Sequence, residues 1–272
     1  MSTEKENLEM LPIGIFDSGI GGLTVVRAIK KLLPAEDIIY LGDTARVPYG
    51  TKSPETVKRF AQQDAAFLHR QNIKALVVAC NTVSSWALPE LERLYKLPIF
   101  GVIEPGVCAA ISRTKNHRIG VIGTTATINS NTYTVAIKAR DKRARVFARP
   151  CPLLVPLVEE GWINHAVTRQ VLSIYLDRLI KSKIDTLILG CTHYPLLKPV
   201  IKRIVGENIA LVDSAQVCAQ TVKQKLGQLG LLKQSSTSGS LTFYTTDAPE
   251  HFTRVASRFL GYPVKSAWKA EL

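Results

Sequence analysis

The chain has 272 residues, 46% of them apolar and 21% charged, and its 35 lysines and arginines against 22 aspartates and glutamates give a formal net charge of +13. That balance belongs to a globular protein and excludes the disordered, collagenous and small disulfide-stapled classes. No apolar run approaches the ~18 residues a membrane span needs, and the N-terminus (Glu4, Glu6, Glu9) lacks the apolar segment of a signal peptide, so a cytoplasmic protein is expected.

Along the chain, short β-branched runs alternate with longer amphipathic stretches, the pattern of strand and helix in turn. Strands are expected at 13–16, 38–41, 76–79, 99–103, 119–122, 144–148, 187–189, 209–212, 241–244 and 264–267. Helices are expected between them, among others at 23–33, 54–71, 167–182 and 215–229. In 54–71 the apolar residues Val57, Phe60, Ala61, Phe67 and Leu68 fall mostly at helical spacing. The strand Leu76-Val77-Val78-Ala79 is continuously apolar rather than alternating, which suits a parallel sheet covered on both faces. The expected fold class is α/β, doubly wound. Residues 233–240 form a polar loop before a strand rather than a linker between domains.

A long-range echo divides the chain. ALVVACNT at 75–82 matches TLILGCTH at 186–193, and IGIFDS at 13–18 resembles IGVIGT at 119–124, both at offsets of about 110 residues. A solenoid repeat would run ~20–50 residues. This spacing is that of a domain, and it implies two similar doubly wound parallel-sheet halves with comparable strand-to-helix turns.

The five cysteines, Cys80, Cys108, Cys151, Cys191 and Cys218, form no CxxC pair, so neither a zinc site nor a disulfide framework is expected. Cys108, Cys151 and Cys218 read as packing residues. The basic residues are spread over helical stretches, and the denser run from Lys138 to Arg149 reads as a solvated face, because no nucleic-acid-binding signature accompanies it.

In open parallel sheets, ligands bind beyond the carboxyl ends of the strands, where helix N-termini offer free N–H groups. Polar clusters occupy such ends: Asp17-Ser18-Gly19, Tyr49-Gly50, Asn81-Thr82 after Cys80, Thr124 to Thr127, and Thr192-His193 after Cys191. Short hydroxyls, one amide and backbone donors suit a small polar anion. The glycines after Asp17 come close to a dinucleotide fingerprint, but Thr24 stands where its third glycine belongs, and no P-loop is present. Two cysteines in echoed positions suit a proton transfer that inverts a stereocentre, one group removing the α-proton and the other delivering one to the opposite face. Asp17 and His193 are candidates to tune or relay protons for them. A hydrolase with one cysteine as nucleophile, His193 as base and Asp17 as its orienter remains the alternative, although it leaves the second cysteine without a role.

On IFDSGIGGL (15–23), DTARVPYG (43–50), VACNT (78–82), VIGT (121–124) with Thr127, and LGCTHYP (189–195), the chain resembles the glutamate racemases of the cofactor-independent aspartate/glutamate racemase superfamily, over almost all its length. His193 follows the second Cys-Thr where the aspartate racemases commonly carry an acidic residue. The resemblance implies interconversion of L- and D-glutamate for bacterial peptidoglycan, with neither pyridoxal phosphate nor metal. It also implies two α/β domains with the active site in the interdomain cleft, and a C-terminal segment returning to the first. The corresponding division is 1–104 plus 215–272, and 105–214.

By the same resemblance, Cys80 and Cys191 are the acid/base pair, supported by Asp17 and His193 respectively, and Glu159 rather than the adjacent Glu160 is the acidic residue near the site. Asp17, Ser18, Tyr49, Gly50, Asn81, Thr82, Thr124, Thr127, Thr192 and His193 are expected to hold the substrate. The expected partner is the small molecule glutamate, with no membrane; a homodimer is compatible with the family, in which oligomeric state varies. An additional role on DNA gyrase or DNA is the alternative the charge raises, and the acidic residues before the first strand argue against it. Proton transfer on another small dicarboxylate such as aspartate is the other alternative.

Overall fold

The structure is a computed structural model that describes residues 8–272, so Glu4 and Glu6 of the acidic N-terminal stretch lie outside it. Among the described residues, the strands are β1 (Ile13–Asp17), β2 (Ile38–Gly42), β3 (Ala75–Val78), β4 (Ile99–Gly101), β5 (Arg118–Gly123), β6 (Arg145–Pro150), β7 (Thr186–Gly190), β8 (Ala210–Asp213), β9 (Leu241–Thr245) and β10 (Trp268–Lys269). They form two sheets, β10-β9-β2-β1-β3-β4 and β6-β5-β7-β8, in which every pairing is parallel. The fold is α/β with doubly wound sheets, as the continuous apolar runs require: β1, β3 and β7 are buried at every position.

The internal echo has a structural counterpart. The order β2-β1-β3-β4 in the first sheet recurs as β6-β5-β7-β8 in the second. Even a close approach is repeated: a Cβ on Gly14 would lie 2.6 Å from Ile73 Cδ1, and one on Gly120 would lie 2.6 Å from Ile184 Cδ1. In each half, the isoleucine leading into the third strand covers the glycine of the first.

The helix Pro54–His69 begins as its sequence dictates, with Pro54 in the first turn and the Ser53 side chain accepting from the Thr56 N–H. It buries Val57, Ala61, Ala65, Phe67 and Leu68 against the first sheet's outer core. A full burial of such side chains contributes roughly 1.5–3 kcal/mol each for the larger ones. The helix Ser214–Leu229 joins the halves: its Cys218, Val222 and Leu226 share one core with Val25, Val26 and Ile29 of the helix Leu23–Leu32 and with Leu187 and Leu189 of β7.

Two expectations need correction. The segment 264–267 is not a strand, because the Val264 N–H is held by the Ser257 hydroxyl at 2.9 Å, capping the preceding helix turn; only Trp268–Lys269 reaches β9. The strand expected to run to residue 103 stops at Gly101, and the helix Ile103–Arg113 begins there instead. The polar loop at 233–240 is present as expected, fastened by Lys233 N–H to Glu36 and by Ser240 N–H to Asp37. No helix among the described residues is long and apolar enough to cross a membrane.

Candidate active site

A cavity of about 340 Å³ opens where the carboxyl ends of β1, β3, β5 and β7 converge from the two sheets. Cys80 and Cys191 both line it, each buried to 5% exposure. Cys80 leaves β3 and heads the helix Asn81–Trp86; Cys191 leaves β7 in the equivalent turn. The echoed cysteines therefore reach one space from the two halves.

Their surroundings differ. The Cys80 thiol faces the Ser18 hydroxyl at 3.5 Å, and burial, with the Asp17 charge nearby, pushes its pKa up to about 12. Asp17 is fully buried and does not line the cavity: its Oδ2 accepts from the Gly22 N–H at 2.9 Å, and the Thr192 hydroxyl donates to Oδ1 at 3.5 Å. Burial raises its pKa, against the pull of His193 and the Gly22 N–H. Asp17 therefore stands behind the wall on the Cys80 side, placed to act on groups that touch a ligand.

On the other side, Cys191 Sγ lies 3.7 Å from His193 Nδ1, and His193 Nε2 lies 2.8 Å from Glu159 Oε1. Burial disfavours the imidazolium, but the Cys191 sulfur and the Glu159 carboxylate outweigh it, and the His193 pKa is pushed up to about 10. Phe259 meets the imidazole edge to face, with centroids 5.5 Å apart. Glu159 is thereby separated from its neighbour, since Glu160 is exposed. In the hydrolase alternative Asp17 was to orient His193; Glu159 holds that place. A histidine kept protonated to about pH 10 is also a poor general base near neutrality.

The spacing of the glycines after β1 now has a reason. A Cβ on Gly21 would come within 2.3 Å of Thr192 Oγ1 and 2.4 Å of His193 Nδ1, so only glycine lets this loop close over the Cys191 turn. Gly50 has the same function across the cavity, where a Cβ would lie 2.8 Å from Thr124 Cβ.

The remaining expected residues divide by position. Ser18, Tyr49, Gly50, Asn81, Thr82, Thr124 and Thr192 line the cavity. Thr82 Oγ1 lies 2.9 Å from Thr124 Oγ1 and 3.2 Å from Thr127 Oγ1, which ties the two halves together, but Thr127 sits behind the lining. Asn81 Oδ1 accepts from the Tyr133 hydroxyl at 2.7 Å, while its buried Nδ2 has no hydrogen-bond partner among the described residues. The Tyr49 hydroxyl is spent on Asp43 and Asp64, so its ring is packing and its backbone and ring face form the wall.

The family profile described as Asp/Glu/Hydantoin racemase matches residues 13–222. The chain belongs to this racemase family. It is 50% identical over 260 residues to a glutamate racemase of Geobacter metallireducens, covering 96% of each chain. Its fold matches the crystal structure of glutamate racemase isoform RacE1 from Bacillus anthracis with a TM-score of 0.94 at 41% identity, covering 97% of this chain and 98% of that one. It also matches a Francisella tularensis glutamate racemase crystallised in complex with D-glutamate, with a TM-score of 0.90 at 39% identity over 97% and 98% of the two chains.

Val47, Pro48 and Thr125 line this racemase cavity from within the stretches 43–50 and 124–127 that the sequence singled out, although no role was assigned to them; outside those stretches lie Thr51 and, before Glu159, Pro152, Val155 and Pro156. The last three belong to the proline-broken apolar run leading into Glu159, which was the available signal. Among the cysteines read as packing, Cys151 and Cys218 are buried, whereas Cys108 is exposed. It lies on the outer side of its helix, 3.5 Å from Glu104 one turn earlier.

Proposed function

We propose that this racemase interconverts L- and D-glutamate by two-thiol proton transfer, and that the carrying observation is the arrival of Cys80 and Cys191 in one cavity from equivalent turns of two similar sheets. One sulfur, as thiolate, takes the α-proton; the electron pair of that C–H bond remains on the α-carbon, and the other thiol gives its proton to the opposite face. The thiol that has gained a proton and the thiolate that has lost one have then exchanged states, and the reverse direction uses the same groups in the opposite order. Cys80, held protonated by burial, is the resting proton donor in this scheme. His193, charged between Cys191 and Glu159, supports the other sulfur.

Making a carbanion beside a carboxylate and an ammonium group requires fixed donors and exclusion of water. The Asn81 amide, the Thr82 and Thr124 hydroxyls, Ser18, Thr192 and the turn at Gly50 are assigned to the substrate's carboxylates and ammonium group. Asp17 and Thr127 act through the residues in front of them. The likeness to enzymes named glutamate racemase, one of them crystallised with D-glutamate, supports glutamate over aspartate. Neither that likeness nor the site favours a gyrase or DNA-binding role. The product D-glutamate suits peptidoglycan synthesis in the cytoplasm. The matching division is 1–104 plus 215–272 against 105–214, with the site between the two parts.

The test is racemisation in deuterated water. Wild type should place deuterium at the α-carbon of the product enantiomer, and Cys80→Ala and Cys191→Ala should each abolish racemisation. Wild-type protein that leaves the α-proton of glutamate unexchanged sinks the substrate assignment; a cysteine variant that still racemises sinks the two-thiol mechanism.

A further inference from the structure

The motif at 43–50 meets the cavity through its last residues, yet two fully buried carboxyls stand behind it. Asp43 Oδ2 accepts from the Tyr49 hydroxyl and from Arg46 Nε, and its Oδ1 accepts from the Thr246 hydroxyl at 2.9 Å. Asp64, on the helix Pro54–His69, accepts at Oδ1 from the Arg46 guanidinium at 2.8 Å, and its Oδ2 lies 3.2 Å from the Tyr49 hydroxyl oxygen. Arg46 is the cation that pairs with both carboxyls, and it also lies over the Phe60 ring, 4.2 Å from the centroid.

Counting hydrogens decides how this cluster is wired. A tyrosine hydroxyl has one hydrogen, and the nearer Asp43 takes it. A bond between Tyr49 and Asp64 must then use a hydrogen carried by Asp64. Charge counting agrees: one guanidinium balances one buried carboxylate, and a second ionised carboxylate would stay uncompensated in a dry site. Burial and the neighbouring Asp43 charge push the Asp64 pKa well above the usual carboxylate range. The chain of donors runs from the Asp64 acid to Tyr49, from Tyr49 to the Asp43 carboxylate, and Arg46 closes it.

We propose that Asp64 is a positioning residue for the racemase reaction, acting as a hydrogen-bond donor to Tyr49 and through it on the wall segment 47–51. Val47, Pro48, Tyr49, Gly50 and Thr51 all line the cavity, and Gly50 abuts Thr124 of the other half. Asp64 touches no substrate; it fixes from behind the surface that substrate and transition state meet alike. Its loss therefore weakens binding uniformly, which raises KM and leaves kcat nearly unchanged. This assignment rests on the function proposed above.

The experiment compares wild type, Asp64→Asn, Asp64→Ala and Tyr49→Phe in steady-state racemisation of glutamate and in amide hydrogen exchange of the peptide covering 47–51. An asparagine reproduces the neutral acid, with a donor toward Tyr49 and an acceptor for Arg46. Asp64→Asn should therefore keep KM within about twofold of wild type and leave the exchange unchanged. Asp64→Ala should raise KM about tenfold, the worth of the one buried hydrogen bond it takes from Tyr49, and Tyr49→Phe, which loses its bonds to both Asp43 and Asp64, at least as much, with kcat within about threefold and exchange at 47–51 faster by a similar factor. An Asp64→Asn protein that behaves like Asp64→Ala overturns the donor role, and unchanged KM and exchange in Asp64→Ala overturn the positioning role. Should Asp64→Ala fail to fold, Asp64→Leu, which fills the same space and gives Tyr49 no donor, decides in its place by the same readings. Wild-type protein inactive on glutamate would defeat the functional reading alone, because the exchange comparison needs no substrate and still decides whether Asp64 holds the segment.

Discussion

His193 is bonded through Nε2 to Glu159 Oε1 at 2.8 Å while its Nδ1 faces the Cys191 sulfur at 3.7 Å, so one imidazole is held between two partners that both favour its charged form. Glu159→Gln removes one of them and should bring the His193 pKa down from about 10, moving the alkaline limb of the kcat/KM profile to lower pH. A fall of about tenfold in kcat/KM near pH 8 is expected, of the size seen when a partner orienting a functional histidine is lost. An unmoved alkaline limb, with the imidazole titration followed by NMR, would separate Glu159 from His193.

The same histidine links folding to pH. Its folded value of about 10 lies above the ordinary ~6.5 of an unfolded chain. Its contribution to stability is therefore fully present below about pH 6.5 and is lost as pH rises through about 10. The melting-temperature difference between wild type and His193→Gln should shrink over that window, and a constant difference would contradict the assignment.

Cys80 should alkylate slowly at neutral pH. With a pKa near 12, its thiolate fraction at pH 8 is on the order of 10⁻⁴. In Cys191→Ala, the iodoacetamide rate at Cys80, read peptide by peptide by mass spectrometry, should climb about tenfold per pH unit through pH 10 without levelling. A plateau near pH 8 would refute the buried, proton-bearing thiol. Cys108, exposed at the surface, serves as the internal fast-reacting reference.

Gly21→Ala should be an activity lesion, because the new methyl would occupy the space of Thr192 Oγ1 and the His193 ring. We expect a loss of about 100-fold or more in kcat, the scale on which a small displacement of catalytic groups is felt. Gly14→Ala, which presses on Ile73 Cδ1 far from the cavity, should instead cost about 1–3 kcal/mol of stability with activity retained at low temperature. Parallel kcat and urea-denaturation measurements on the two variants check the contrast, and equal behaviour would contradict it.

Lys74 and Glu36 form a buried ion pair, 2.5 Å apart, at the end of the first sheet away from the cavity. Glu36 also accepts from the Lys233 N–H, and Lys74 donates to the Glu9 carbonyl. Lys74→Met leaves the carboxylate buried without its cation and should destabilise the fold by about 3–5 kcal/mol. The double variant with Glu36→Leu should recover much of that loss. A double variant less stable than Lys74→Met would show that the pair is favourable beyond mutual neutralisation.

What could be read from the chain alone followed the range of the interaction that decides it. Cys80 and Cys191 were legible because each ends an apolar run with its own echo, and a strand end is a place in the fold as well as in the sequence. Asp17 also ends a strand, but whether its carboxylate faces the cavity or the loop behind it depends on Gly22, and the structure turns it inward. Glu159 and Glu160 differ by one step at a helix end, and only the position of His193, brought from β7, distinguishes them. The Tyr49 hydroxyl was harder still, since its partner Asp64 sits on a helix whose sequence gives no sign of facing the loop. Cys108 lies on a helix apolar enough that neither face reads as the outer one, which is why its exposure was missed.

The unequal neighbours of Cys80 and Cys191, a serine hydroxyl on one side and a charged histidine on the other, carry a thermodynamic consequence. In achiral water the two enantiomers have the same free energy, so the equilibrium constant between them is unity whatever catalyses their exchange. The asymmetry of the site can make turnover faster in one direction only if saturation is weaker in that direction by the same factor. Two thiols with different neighbours thus divide the work unevenly between binding and chemistry, while the ratio kcat/KM stays identical for left- and right-handed substrate.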